Sequence, residues 1–240
     1  MSRDVLALWE RAISARSELR ADAILSACID SPSESLGARN AELLSLRARL
    51  FGHVQALRST CTGCGAAVEF SVDCDALARD LRPTSDTVGT HVIELDGYHV
   101  EFRVPGRADV AHATARAATG ASFVDQLLDR CITRCEYGGA PCSPAALPDS
   151  VGEALSERLE ALEPGAIVSF DLACPECEAR WSARMNCGDV LWSEVQSRAE
   201  RLLLEIDALA RVYGWTETDV LSLSATRRAA YLQLASAGAA

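Results

Sequence analysis

Lysine is absent from the sequence, although 23 arginines are present. Without a lysine amine the chain lacks the phosphate-binding lysine of a Walker A loop or a protein kinase, and it cannot form a lysine Schiff base. No nucleophile elbow, glycine-rich phosphate loop or histidine-based metal motif occurs either. These absences exclude several large classes of enzyme. We therefore expect a protein without catalytic activity and without a small-molecule substrate.

A surplus of positive charge is also missing, since the formal net charge is −11. Nonspecific attraction to nucleic acid or to an anionic membrane depends on basic surface, so we expect neither as a partner. The longest apolar runs are too short to span a bilayer. Charged residues interrupt residues 1–30, so we expect no signal peptide there. The expected location is the cytoplasm.

Ten cysteines are present in a chain whose 49% hydrophobic and 24% charged residues are ordinary for a folded protein. Thiols remain reduced in the cytosol, so cysteines there indicate metal binding or burial more often than disulfides. Four of them form two C-x-x-C pairs, Cys61 with Cys64 and Cys174 with Cys177. Two such pairs supply the four thiolates of a tetrahedral structural zinc site. The sequence therefore predicts a structural Zn²⁺ bound by these four residues.

Two other interpretations share the C-x-x-C spacing. A rubredoxin-like iron centre has the same donor set, but nothing else in the sequence indicates electron transfer. A redox-active pair is typical of a turn that opens a helix after a strand, whereas both pairs here lie between strand-like runs. Zinc is therefore the favoured metal.

A third cysteine extends the likeness between the two segments. Cys74 follows Cys61 by thirteen residues, and Cys187 follows Cys174 by the same thirteen. Each segment has a short run into a cysteine turn and an alternating run out of it, as in a zinc-ribbon hairpin. We expect the two lobes of this degenerate repeat to meet at one metal. Cys74 and Cys187 are expected to be small buried side chains at equivalent positions.

The remaining cluster of cysteines is more ambiguous. Cys131 and Cys135 have the i, i+4 spacing that puts two thiols on one helix face, and Cys142 is within reach from the loop that follows. Simple packing is the favoured interpretation, and a second metal site is the alternative.

Hydrophobic periodicity predicts an α+β fold. A two-lobed zinc-ribbon-like β region with a β-hairpin insert is flanked by helices and by a C-terminal helical segment. The hairpin is predicted at residues 91–104, because Asp96-Gly97 between alternating runs favours a type I′ turn. Helices are predicted at residues 5–28 (with one break), 36–51, 73–81, 107–118, 122–134, 149–162, 189–213, 217–223 and 225–235, and further strands at 54–59, 68–72, 167–172 and 180–185. The predicted domains are residues 1–52 (N-terminal helices), 53–188 (zinc-ribbon-like core) and 189–240 (C-terminal helical segment).

The C-terminal segment combines aromatic and arginine side chains on short helices, one of which opens at a capping box predicted from Thr216 and Asp219 three residues later. This combination suits a protein-contact surface, and local core packing is an equally open interpretation. A DNA-reading helix-turn-helix is disfavoured, because acidic Glu217 and Asp219 accompany a single arginine pair.

The segment ERLLLEIDALARVYGWTETDVLSLSATRRAAYLQLA resembles the C-terminal signature of baseplate hub assembly chaperone-like proteins. Those proteins belong to gene clusters of contractile-tailed phages and the related contractile injection systems. The likeness continues upstream, in the same order, in ARNAELLSLRARLFGHVQALRSTCTGCGAAVEFSVD, IELDGYHVEFRVP and LACPECEARWSARMNCGDVLWSEV, and covers residues 36–235.

The resemblance implies a cytosolic, non-enzymatic protein that helps a tail baseplate hub to assemble or becomes a minor part of it. Its partners would be baseplate or tail hub proteins. The family's cysteine pairs correspond to the four cysteines named above, and its Y-x-W and R-R-x-x-Y-L elements to Tyr213, Trp215, Arg227, Arg228, Tyr231 and Leu232. The departures are Cys131, Cys135 and Cys142, and Glu178 where a glycine is usual. A zinc-ribbon nucleic-acid-binding adaptor is the alternative function.

Overall fold

A computed structural model describes residues 2–82 and 89–237 and has separate helical and antiparallel β segments, which confirms an α+β fold. Short 3-10 helices lie at Ser17–Leu19 and Pro144–Ala146. The α-helices are α1 (Ser2–Ile13), α2 (Arg20–Cys28), α3 (Leu36–Phe51), α4 (Cys74–Asp80), α5 (Arg107–Ala117), α6 (Phe123–Cys131), α7 (Asp149–Leu162), α8 (Cys187–Tyr213), α9 (Glu217–Ser222) and α10 (Ala225–Ala237). The strands are β1 (Val54–Thr60), β2 (Ala67–Asp73), β3 (His91–Leu95), β4 (Tyr98–Phe102), β5 (Ile132–Tyr137), β6 (Ala140–Pro141), β7 (Val168–Ala173) and β8 (Arg180–Met185).

Helix ends follow local sequence chemistry. The Ser35 hydroxyl oxygen accepts a hydrogen bond from the Ala38 N–H at 3.2 Å, which caps the start of α3. Gly52 ends that helix at a φ of +102°, a conformation that glycine adopts at little cost. At α9 the Thr216 hydroxyl accepts from the Asp219 N–H and the Asp219 carboxylate accepts from the Thr216 N–H, which confirms the predicted capping box.

The strands form three small antiparallel sheets within the described residues. Strands β1 and β2 make one hairpin, β7 and β8 make a second, and β3, β4, β5 and β6 form a four-stranded sheet in that order. The turn between β3 and β4 has φ values of +53° at Asp96 and +82° at Gly97. These values fit the type I′ turn that the sequence predicts.

Strand β5 corrects one sequence-based prediction. The predicted helix over residues 122–134 is wrong from residue 132 onward, because α6 ends at Cys131 and Ile132–Tyr137 is a strand. Strand β5 pairs with the free edge of β4, from Phe102 opposite Ile132 to Tyr98 opposite Tyr137. This pairing brings apolar side chains of both strands into a core with Val151 and Leu155 of α7. Tertiary pairing thus outweighs the local helical spacing.

The chain divides into two compact units. The first combines residues up to Ile29 with residues from Gly188 onward, and the second is Asp30–Cys187. The first unit has a core of α1, α8 and α9 side chains: Val5, Leu6, Ala199, Leu202, Ile206, Leu209 and Val220. The three-segment domain division stays a prediction. Within residues 2–82 and 89–237, no helix has both the length and the apolar character to cross a membrane.

Two glycines give a matched test of the packing in Asp30–Cys187. A Cβ at Gly165 would lie 2.3 Å from the backbone oxygen of Leu81 and 3.0 Å from Gly37 Cα. A Cβ at Gly152, inside α7, would meet no atom within 4 Å. Gly165→Ala should therefore destabilise the protein by about 2 kcal/mol, because backbone must move. Gly152→Ala should stabilise it by about 0.5–1 kcal/mol through helix propensity.

Urea unfolding of both glycine variants beside the wild type measures these effects. Equal unfolding free energies for the two variants would contradict the close approach of the backbone at Gly165.

Candidate metal centre

The two C-x-x-C turns have the same backbone geometry. In the first, the Cys61 N–H donates to the Ala66 carbonyl at 2.8 Å and the Gly65 N–H donates to the Cys61 carbonyl at 3.0 Å. In the second, the Cys174 N–H donates to the Ala179 carbonyl at 2.9 Å and the Glu178 N–H to the Cys174 carbonyl at 3.0 Å. The degenerate repeat therefore corresponds to two equivalent turns, each between the strands of a hairpin.

Glu178 keeps this turn although a glycine, Gly65, stands at the equivalent position of the first turn. Its φ is +60°, and the equivalent residue of the first turn, Gly65, has a φ of +77°. The left-handed conformation costs a residue with a Cβ about 1–2 kcal/mol. The departure at Glu178 thus alters the energy of the second turn and leaves its geometry unchanged.

Exchange of residue types at these two positions should therefore have opposite effects. We expect Glu178→Gly to stabilise the zinc-loaded protein by about 0.5 kcal/mol, since backbone entropy offsets part of the relieved strain. Gly65→Ala should destabilise it by about 1 kcal/mol. Chemical denaturation at a fixed excess of zinc measures both values. Destabilisation by Glu178→Gly would show that the glutamate side chain contributes more than its backbone conformation costs.

The two hairpins bring the four predicted ligands together. The Sγ atoms of Cys61 and Cys177 are 3.6 Å apart, as are those of Cys64 and Cys174. All four sulfur atoms lie within 4.8 Å of one another. Zinc with bonds to sulfur of about 2.3 Å in a tetrahedron sets the sulfurs about 3.8 Å apart. The donor set and its spacing therefore fit a tetrahedral thiolate-bound metal ion.

The thiols of the cluster have unequal acidities. The pKa of Cys61 is lowered to about 7, because the backbone N–H groups of Cys64 and Gly63 donate to its thiolate. The Ala66 N–H lowers the pKa of Cys64, but the thiols of Cys177 and Cys174 outweigh it and raise that pKa to about 12. A metal ion must displace the protons of such thiols, so metal affinity decreases as the pH falls.

Contacts between the two hairpins also support the cluster. The Trp181 indole N–H donates to the Ser59 hydroxyl at 3.1 Å. The rings of Phe70 and Phe170 lie 5.3 Å apart at an interplanar angle of 59°. The sequence did not predict these pairs, because each joins residues of different hairpins; the alternation of apolar residues in the strands was the available indication.

Cys74 and Cys187 lie where the repeat places them, as the first residues of α4 and α8. Both side chains are buried, as predicted. Burial raises the pKa of Cys187 to about 12, so this thiol stays protonated. Neither residue belongs to the group of four sulfurs.

The other three cysteines occupy different elements. Cys131 ends α6 and Cys135 lies in β5, so the predicted shared helix face is wrong. The Cys142 N–H donates to the Cys135 carbonyl at 2.9 Å. Burial raises the pKa of both Cys131 and Cys135 to about 11. In the part of the chain that the structure describes, the four-cysteine cluster is the only group of three or more side chains that could hold a metal ion. This favours simple packing for Cys131, Cys135 and Cys142.

The residues predicted to bind a partner are mostly engaged within the first unit. Tyr213 stacks on Trp215 at 4.7 Å, and Tyr231 meets Trp215 edge-on at 4.9 Å. Leu232 packs with them against the core of that unit. Arg228 is buried, with its Nε donating to Glu205 at 3.0 Å, whereas Arg227 is exposed. Core packing explains this arrangement, and a partner-binding role for these residues stays a prediction.

The larger part of the chain matches a known protein family. A family model described as T4 bacteriophage base plate protein matches residues 17–180. The matched range contains all four cysteines of the cluster and ends before the C-terminal aromatic residues. No curated protein and no solved structure shows a significant match to the chain.

Proposed function

The chain belongs to the T4 bacteriophage base plate protein family, and we propose that it is a non-enzymatic assembly factor or minor component of the baseplate hub of a contractile tail or injection system. The observation that carries the proposal is the family match, which covers more than half of the chain and encloses both cysteine pairs. Its partners are then other baseplate or tail hub proteins, which it meets in the cytoplasm of the producing cell.

We propose structural Zn²⁺ as the cofactor and a zinc-ribbon-like arrangement for the two hairpins. Cys61, Cys64, Cys174 and Cys177 would bind the ion, and four protein thiolates leave no open position for a substrate or an activated water. The role of the metal would be to join two hairpins whose nearest ligands are 110 residues apart in the chain. Such a site contributes folding free energy and no chemistry.

The proposed mechanism follows from this architecture. Zinc holds Asp30–Cys187 in one folded state, and that folded unit binds a hub protein. The bound hub protein is kept from premature association until the baseplate forms. The chain then leaves the hub or remains in it as a minor part.

Co-expression with the hub proteins of the same tail gene cluster tests the proposal. We expect the chain to co-purify with a hub protein and to raise the yield of assembled hub. The double variant Cys61→Ser with Cys174→Ser should lose both effects. Cys28→Ser, which changes an exposed cysteine outside the cluster, should keep both.

Two results would overturn this function. One is hub assembly with the same yield and rate when the chain is omitted. The other is co-purification with nucleic acid that weakens steeply with salt, which would support the zinc-ribbon adaptor instead. Mass spectrometry of finished particles separates the remaining alternatives, an assembly factor that departs and a component that stays.

A further inference from the structure

A cavity of about 750 Å³ lies within Asp30–Cys187, away from the cysteine cluster. Its walls come from the start of α3, the segment after β4, helices α5, α6 and α7, and the β7–β8 hairpin. Most of the lining is apolar, with Leu36, Val104, Val110, Phe123, Leu159 and Ile167 among its residues. Cavities that bind ligands have volumes of about 300–1,000 Å³ and similar walls. We call this cavity the α7 groove.

Two large apolar side chains of the α7 groove face solvent. Phe123 is 38% exposed and Ile167 is 51% exposed. They belong to different elements, since Phe123 begins α6 and Ile167 precedes β7. Exposed apolar side chains gathered at a concave surface are typical of binding sites.

A buried carboxylate supplies the polar part of the α7 groove. Glu163 follows α7, lines the groove and is only 4% exposed. Its Oε2 accepts the Gly37 N–H at 2.8 Å. Its Oε1 is buried and has no hydrogen-bond donor among residues 2–82 and 89–237. A buried acceptor without a donor is unfavourable, so this oxygen favours a ligand that brings one.

The charges around the groove indicate which kind of donor fits. Glu160 lines the groove close to Glu163 in the chain, so this end carries two acidic residues. Arg184 is the arginine of the lining; it lies on β8, paired with Ser169 of β7. Arg103 and Arg130 line a neighbouring cavity together with Glu163, but both form ion pairs with Asp109. Glu163 Oε1 has no hydrogen-bond partner among the described residues, so a cationic donor at the α7 end could make a charge-assisted hydrogen bond with it.

We propose that the α7 groove binds a peptide segment of a partner protein in which apolar side chains accompany an arginine or a lysine. The apolar side chains pack between Phe123 and Ile167, and the cationic head group donates to Glu163 Oε1. The volume suits several side chains and exceeds what a lone ion needs. The assignment of this segment to a baseplate hub protein rests on the proposed function.

Synthetic peptides test the chemistry directly. The probes are overlapping 15-residue peptides that cover the hub proteins of the same gene cluster, with binding to the zinc-loaded full chain measured by fluorescence anisotropy. The peptides that bind should contain an arginine or a lysine beside apolar residues. In a peptide that binds through an arginine, replacement of the arginine by citrulline keeps the shape of the side chain and removes its charge. This replacement should weaken binding roughly tenfold.

Protein variants place the peptide in the groove. Glu163→Gln keeps an acceptor for the Gly37 N–H and should weaken the arginine peptide roughly tenfold, with little effect on the citrulline peptide. Phe123→Ser should weaken both peptides. Val124→Ser changes the next residue of α6, which is exposed but does not line the groove, and should weaken neither. The citrulline comparison on the wild-type protein keeps the test valid if Glu163→Gln fails to fold.

The outcomes separate this inference from the proposed function. If a full-length hub protein binds and no groove variant weakens it, the groove assignment is overturned and the hub role stands. If peptides of unrelated proteins bind with the expected dependence on Glu163 while hub proteins do not bind, the hub role is overturned and the groove chemistry stands. Absence of binding by every peptide and every hub protein overturns both.

Discussion

Simultaneous replacement of Cys61 and Cys174 by serine should abolish zinc binding and the cooperative unfolding of Asp30–Cys187. The four sulfurs of the wild type lie within 4.8 Å of one another. The double variant removes one of them from each hairpin and leaves two, which are too few for a tetrahedral thiolate site. Structural zinc contributes on the order of 10 kcal/mol to folding in small zinc domains. The net stability of a typical protein is only about 5–15 kcal/mol. Loss of the metal is therefore expected to cost most of the stability of this unit.

Metal analysis and thermal unfolding check this expectation together. The wild-type protein should contain about one zinc per chain, and a chelator should lower its unfolding temperature toward that of the double variant. Cys28→Ser is the control, because it makes the same replacement of a thiol by a hydroxyl at a cysteine outside the cluster. A metal-free wild-type protein with the same unfolding transition as the double variant would show that the cysteines contribute only packing.

Asp109→Asn should cause the second large loss of stability. The Asp109 side chain is 4% exposed and accepts from Arg103 Nη1 at 2.6 Å, Arg130 Nε at 2.7 Å and the Gly106 N–H at 2.9 Å. It thereby connects the end of β4, the start of α5 and the end of α6. Loss of one partner of a buried ion pair costs about 3–5 kcal/mol. We expect a loss of unfolding free energy at the lower end of this range, about 3 kcal/mol, because water can hydrate the partly exposed Arg103 and Arg130.

This loss should depend on pH in a defined direction. The pKa of Asp109 lies far below its ordinary value, mainly because the Arg103 side chain donates hydrogen bonds to the carboxylate. Hydrogen bonds from the Gly106 N–H and from Arg130 lower this pKa further. A carboxyl whose pKa is lowered by folding stabilises the protein above its unfolded pKa of about 3.9, and the contribution is lost as the pH falls below that value. The free-energy difference between the wild type and Asp109→Asn should be constant from pH 8 to pH 5 and narrow below about pH 4.

Unfolding of both proteins at each pH, with zinc content recorded, measures this difference. Asp207→Asn is the control, because Asp207 forms an exposed ion pair with Arg211 one helical turn away. It should cost less than about 0.5 kcal/mol. A loss for Asp109→Asn no larger than that of the control would contradict a stabilising role for the buried carboxylate.

Local patterns predicted the elements that depend on neighbouring residues. The Asp96-Gly97 turn, the Thr216 capping box and the alternation on both sides of each cysteine pair all have short-range physical causes, and the structure contains the corresponding elements. The equal thirteen-residue spacings predicted two equivalent lobes. The structure places Cys61 and Cys174 in equivalent turns.

Features that join distant segments could not be predicted in this way. Strand β5 forms because β4 offers a free edge, and no window of the sequence contains that edge. The Gly37 N–H and the Glu163 carboxylate are separated by 126 residues, and Arg130 reaches Asp109 from another helix. Each carboxylate resembles an ordinary helix-surface charge in the sequence, so its burial became visible only in the fold.

The distance along the chain between the two cysteine pairs sets an order of events during synthesis. Cys64 and Cys174 are separated by 110 residues, and a ribosome adds about 5–20 residues per second, so the second pair emerges roughly 5–20 s after the first. During that interval the first hairpin offers an ion only two of four sulfurs. If all four sulfurs bind one ion, the ion would be captured only after nearly all of Asp30–Cys187 has been translated. Metal capture would then be a late step that distinguishes finished chains from truncated ones.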